Sequence, residues 1–138
     1  MAIQCAHVYL LRFNVAAKSK LLVPAYVLPD GKVRFFPINS EVPDFIIKSP
    51  ELSKHTLPMK PANNARFLSH DSWLCCNEVI GGWTVEEIKK QGNCYRGAID
   101  AATMAAVPTI IIESRLYAAK EKALIMEQWP VKLAKPPA

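Results

Sequence analysis

The sequence predicts an α+β fold, with a small antiparallel barrel in the first part of the chain and helices in the last. Three observations carry this reading. Asp30-Gly31 stands between two apolar runs and marks a tight hairpin turn. One arm of that hairpin carries apolar residues on both faces, Val33 and Phe35 against Phe36 and Ile38, as expected of a strand covered on both sides in a small closed barrel or at a dimer interface. From Thr84 the spacing turns helical, opened by the capping box Thr84-Val85-Glu86-Glu87. With 138 residues, 51% of them hydrophobic, the chain has the size of one domain. Its β part is expected at about 6–83 and its helical part at about 84–128, with a frayed tail over 129–138.

Taken in order, the residues HVYLLRF give a first strand from Ala6 to Phe13, and Asn14 to Lys20 a short basic loop. Leu21 to Leu28 is a second strand, in which Pro24 cannot donate a ladder hydrogen bond and so requires an edge position or a bulge. Lys32 to Asn39 completes the hairpin. The segment from Asn39 to Arg66 contains Pro43, Pro50, Pro58 and Pro61 and reads as a long Pro-rich loop. Within it, Asp44 to Ile47 can add a short strand or turn, and Ser49-Pro50-Glu51-Leu52 a single helical turn.

The stretch RFLSHDSWLCCNEVIGGW, Arg66 to Trp83, joins a polar cluster to a buried-strand pattern. His70, Asp71 and Ser72 emerge at a surface, while Trp73, Leu74, Cys75, Cys76, Val79 and Ile80 cross a core until Gly81-Gly82 breaks the strand. A short helix then runs to about Gln91 and stops at Gly92, and Arg96-Gly97 makes a turn. Asp100 caps a second helical region that extends to about Gln128. Pro108 inside that region removes a backbone bond, so a kink or a junction of two helices is expected at Val107-Pro108.

Charge is distributed unevenly. Residues 1–70 carry nine basic and four acidic side chains, so the whole net charge of +5 lies before residue 71. A basic β half beside a neutral helical half suits phosphates or an acidic protein. The longest charge-free window of the C-terminal half, Ala101 to Ile112, is shorter than the ~18 apolar residues of a membrane span. No basic region precedes the N-terminal apolar residues and Arg12 interrupts them, so no signal peptide is expected and the location is read as cytoplasmic. Cys5, Cys75, Cys76 and Cys94 form no C-x-x-C pair and read as buried, reduced thiols. A zinc site built on Cys5 and His7 lacks the usual spacing, and neither a metal nor a cofactor is expected.

The order of elements, with LLVPAYVLPDGKVRFFPINSE, HDSWLCCNEV and RGAIDAATMAAV as its local words, resembles the MazF/PemK and CcdB superfamily of bacterial toxin–antitoxin toxins over roughly residues 6–117. That resemblance implies a small SH3-like β-barrel with a C-terminal helix, a homodimer, and an acidic antitoxin protein as partner. In the segment PINSE, Ser40 stands where MazF-type proteins place a small hydroxyl residue. The chain departs from the family pattern in two places. Lys18-Ser19-Lys20-Leu21 replaces the usual Arg-Pro pair that supplies a catalytic arginine, and the glycine-rich loop before it is absent. The resemblance therefore implies either a metal-independent endoribonuclease acting on RNA or a CcdB-like poison of DNA gyrase acting through the end of the C-terminal helix.

Metal-free RNA cleavage needs a base for the 2′-hydroxyl proton and cations for the phosphate. His70 is the candidate base, with Asp71 or Glu78 to orient it and Ser40 to donate a hydrogen bond. Lys18, Lys20 and Arg34 are the candidate phosphate ligands. Two other functions fit the same residues. A nucleic-acid-binding module would stack bases on Tyr26, Phe35, Phe36 and Trp73, whereas an interaction protein would use the Pro-rich loop and the two-faced hairpin.

Overall fold

The computed structural model describes residues 3–12 and 19–133. Its strands are β1 (His7–Arg12), β2 (Ser19–Val27), β3 (Lys32–Asn39), β4 (Thr56–Met59), β5 (Ser72–Cys75), β6 (Ile80–Thr84) and β7 (Tyr95–Ala98). The helices are α1 (Asp44–Ile47), α2 (Pro50–Lys54), α3 (Val85–Lys90), α4 (Ala101–Glu113) and α5 (Ala119–Gln128). The strands form one curled antiparallel sheet, a half-barrel in the order β4-β5-β3-β2-β1-β7, with β6 paired to β3 as well. Among the described residues no helix is long and apolar enough to cross a membrane.

β3 organises the sheet because it pairs with three strands. Along one edge it meets β2, from Val33 opposite Val27 to Pro37 opposite Leu22. Along the other it pairs first with β6, Phe35 facing Ile80, and then with β5, Asn39 facing Trp73. The apolar run expected as one strand from Trp73 to Ile80 is thus two short strands that share β3, with 76–79 as the connection. Gly81 and Gly82 lie within β6 instead of ending it. A side chain at Gly81 would collide with the Arg34 guanidinium, which lies across it.

The hairpin matches its sequence signal. Gly31 has φ +88°, the left-handed conformation that glycine enters without steric cost, and its amide donates to Leu28 O at 2.9 Å. Pro24 sits at a register shift between Pro24 and Tyr26, so a bulge accommodates the missing donor although β2 is an interior strand. The two faces of the hairpin serve two cores. Val23, Ala25, Phe36 and Ile38 pack with α4 and α5 around Val107, Ile111, Ile125 and Trp129. Leu22, Val33 and Phe35 pack with Leu11, Trp83 and Ile88 under α3. Burying each such side chain contributes about 1.5–3 kcal/mol, so this chain covers both hairpin faces by itself and needs no partner to do so.

The segment 39–66 is more regular than its prolines suggested. It holds α1, α2, a 3-10 turn at Pro61–Asn63 and β4, which pairs with β5 from Thr56 opposite Cys75 to Met59 opposite Ser72. Pro58 is tolerated because β4 is an outer strand of the sheet. Two buried polar groups fasten the segment to the helices. His55 places Nδ1 2.7 Å from Glu51 O and Nε2 2.6 Å from Ser114 Oγ. Asn64 donates to Asp100 Oδ1 at 2.9 Å, and its own Oδ1 accepts from the Asp100 amide at 3.0 Å.

The helical part also departs from expectation. Thr84 and Glu87 form the predicted capping box, and Asp100 caps α4 by accepting from the Thr103 amide at 3.0 Å. Arg96 and Gly97 do not make a turn but lie in β7, against β1. α4 continues through Pro108 and ends at Glu113, and the break to α5 falls at 114–118 instead of Val107-Pro108. The cause is a substitute donor. Pro108 has no amide hydrogen for Met104 O one turn earlier, and that carbonyl accepts from Trp129 Nε1 at 2.9 Å instead. Trp129 was expected in a frayed tail, yet it is 0% exposed.

Candidate functional site

The ends of β2 and β3 and the segment before β5 enclose an open cleft of about 320 Å³. Lys20, Ser40 and His70 all line it, with Asn39, Ser69 and Ser72 between them. The topology accounts for this grouping. β2 begins and β3 ends at the same end of the sheet, and β5 begins there because Asn39 pairs with Trp73. His70 lies just before β5, exposed, with Nδ1 3.2 Å from Ser69 Oγ. Ser72 is buried and its hydroxyl donates to His70 O at 3.3 Å, which holds the turn carrying the imidazole.

Lys20 is half-buried, and among the described residues no carboxylate lies within ion-pairing distance of it. Its positive charge reaches Cys75, whose thiol is nevertheless pushed up by burial, with Lys20 and a bond from Asn39 Nδ2 working against that rise. Ser40 is exposed at the junction of two hollows. It also lines a more apolar one of about 500 Å³, with Ile46, Ile47 and Trp73.

The remaining candidates lie elsewhere or are otherwise engaged. Asp71 is exposed and pairs with Lys60, Oδ2 to Nζ at 3.2 Å, instead of orienting the imidazole. Glu78 stands on the connection between β5 and β6, near Cys75 and Tyr117. Arg34 does not line the cleft. It lies over Gly81 and beside Tyr26, whose hydroxyl donates to Glu121 at 2.6 Å. Burial first, then that bond and the Glu121 charge, push the Tyr26 hydroxyl up to about 12. Lys18 lies outside the described residues. Tyr26, Phe35 and Phe36 are buried and Trp73 is only half-buried, so three of the four aromatics considered for base stacking serve the core. Cys5 and His7 gather no third metal-binding side chain among the described residues.

Ser19 and Ser69 also line the cleft, and no local pattern in the sequence marks either of them. Both become visible only once the strand ends are brought together. No protein-family model matches the chain, and no characterised protein matches it in sequence.

Proposed function

We propose that this protein is a metal-independent endoribonuclease and the toxin of a bacterial toxin–antitoxin pair, built on a barrel of the SH3-like kind. One observation carries the proposal: Lys20, Ser40 and His70 line a single open cleft at one end of the sheet. In this reading His70 takes the proton of a ribose 2′-hydroxyl, and the resulting oxygen attacks the adjacent phosphorus. The bond to the 5′ oxygen breaks and that oxygen takes a proton from water in the open cleft. The products are a 2′,3′-cyclic phosphate and a 5′-hydroxyl end. Lys20 and the Ser40 hydroxyl stabilise the charge that grows on the phosphoryl oxygens. A single 2′-deoxy substitution at a mapped cleavage position tests this step. It should block cleavage at that linkage alone; continued cleavage there would exclude attack by the 2′ oxygen.

The same reading places the protein in the cytoplasm, as a homodimer restrained by an acidic antitoxin. Apolar side chains left open on α1, Phe45 at 67% and Ile47 at 60% exposure, support self-association better than the covered hairpin does. A monomeric mass at micromolar concentration would count against it. The surplus of basic residues before residue 71 supports the acidic partner, whose binding should weaken with salt. The gyrase alternative has less support, because the end of α5 is committed internally. Gln128 bonds Val27 N at 2.7 Å and Val27 O at 3.0 Å, and Trp129 fills the core.

A further inference from the structure

The cleft at Lys20 and His70 does not end at β2. A second hollow of about 410 Å³ adjoins it, and the two share Leu10 and Ser19 in their walls. Together they cross the ends of β3, β2, β1 and β7, which are consecutive in the sheet. Three strand spacings make that path about 15 Å long. Arg12 lies on it directly opposite Ser19 in the β1–β2 register. The Arg12 backbone is held at both polar groups by the Gln91 side chain, the amide donating at 2.9 Å and the carbonyl accepting at 3.5 Å.

Arg96 reaches the same hollow from β7. Its Nη1 donates to Asn93 O at 2.7 Å and to Tyr95 O at 3.1 Å. These carbonyls orient the guanidinium without neutralising it, and the rest of its donor fork stays available to an anion. The Asn93 carbonyl is set by a tight reversal after α3, where Gly92 has φ +47° and Asn93 has φ +50°. Among the described residues no carboxylate lines either hollow.

We infer that Arg12 and Arg96 form a second subsite that holds the phosphate backbone of single-stranded RNA to one side of the cleaved linkage. This rests on the ribonuclease reading. It adds that the substrate is an extended strand running across four strand ends, rather than a dinucleotide held at the cleft alone. Neither arginine touches the reacting atoms. Both position the strand, so their loss affects binding and its salt dependence more than turnover of bound RNA.

The test is equilibrium binding of a fluorescent 2′-O-methylated single-stranded RNA, which cannot be cleaved through its 2′ oxygen, to the full chain over a salt series. Each phosphate contact on a single strand contributes about 0.7 to the slope of log affinity against log salt. R12A/R96A should therefore flatten that slope by about 1.4 and weaken binding at least tenfold at low salt, with an unchanged far-ultraviolet spectrum. Arg12→Glu is the control for folding, since its exposed side chain can be reversed without disturbing a buried contact. It should weaken binding by itself. If wild-type protein binds and both variants keep its slope and affinity, the subsite is refuted and the ribonuclease reading stands. If wild-type protein binds no RNA, the ribonuclease reading falls and the subsite with it.

Discussion

Trp129→Phe is the perturbation that most sharply tests how α4 carries a buried proline. The indole donates to Met104 O at 2.9 Å, where the Pro108 amide would otherwise have donated, and its ring meets Phe36 edge-on at 6.0 Å. Phenylalanine keeps part of the ring but removes the donor. An unmet carbonyl costs about 1–3 kcal/mol, and the space vacated in a fully buried site raises the loss to about 2–4 kcal/mol. Pro108→Ala restores an amide hydrogen one turn from that carbonyl. In the Pro108→Ala background, therefore, Trp129→Phe should cost about 1 kcal/mol less than in the native one. Urea unfolding of the four proteins in the cycle measures the difference. Additivity to within about 0.5 kcal/mol would show that the indole does not replace the missing helical bond.

Two further outcomes follow from buried or constrained groups. Burial tends to raise the Asp100 carboxyl, but bonds from Asn64 and Thr103 outweigh it and hold the pKa below the usual aspartate value. A carboxyl depressed on folding contributes stability above the unfolded value, about pH 3.9, and loses it as pH falls through the folded value. Asp100→Asn should flatten that acid limb in thermal melts, and Asp100→Ala should cost about 1–2 kcal/mol near neutrality through the lost cap; an unchanged acid limb would refute the assignment. Gly97→Ala should cost about 1–3 kcal/mol in urea unfolding, because φ is +125° and the added carbon would stand 3.2 Å from Arg66 Nη1. A loss below about 0.5 kcal/mol would mean that β7 relaxes freely at this point.

Local signals were legible and non-local ones were not. Asp30-Gly31, the Thr84–Glu87 capping box and the Asp100 cap each act within a few residues, and each stands where the sequence put it. The split into β5 and β6 was hidden, because an apolar run does not encode which stretch of β3 its parts will pair with. β4 was hidden by Pro58, which excludes an interior strand but not an outer one. Pro108 read as a break because its substitute donor, Trp129, lies on a different segment of chain. At the site, Ser40 and His70 were legible as groups at strand ends, and they line one cleft with Lys20. The charge of Arg34 marks it in the sequence as a phosphate ligand, yet its direction follows from the space left by Gly81. Asp71 stands beside His70 in the sequence, but Lys60, just after β4, engages it.

In the proposed reaction His70 breaks RNA in the cleft at the end of the sheet without a metal ion. The most direct measurement is the single-turnover rate of cleavage of a single-stranded RNA by the purified chain in excess chelator, for wild-type protein and His70→Ala side by side. If the proposal holds, wild-type protein cleaves the RNA and the variant is slower by about 10² to 10⁴, with an unchanged melting temperature. Intact RNA with the wild-type protein, or equal rates for the two, would contradict it.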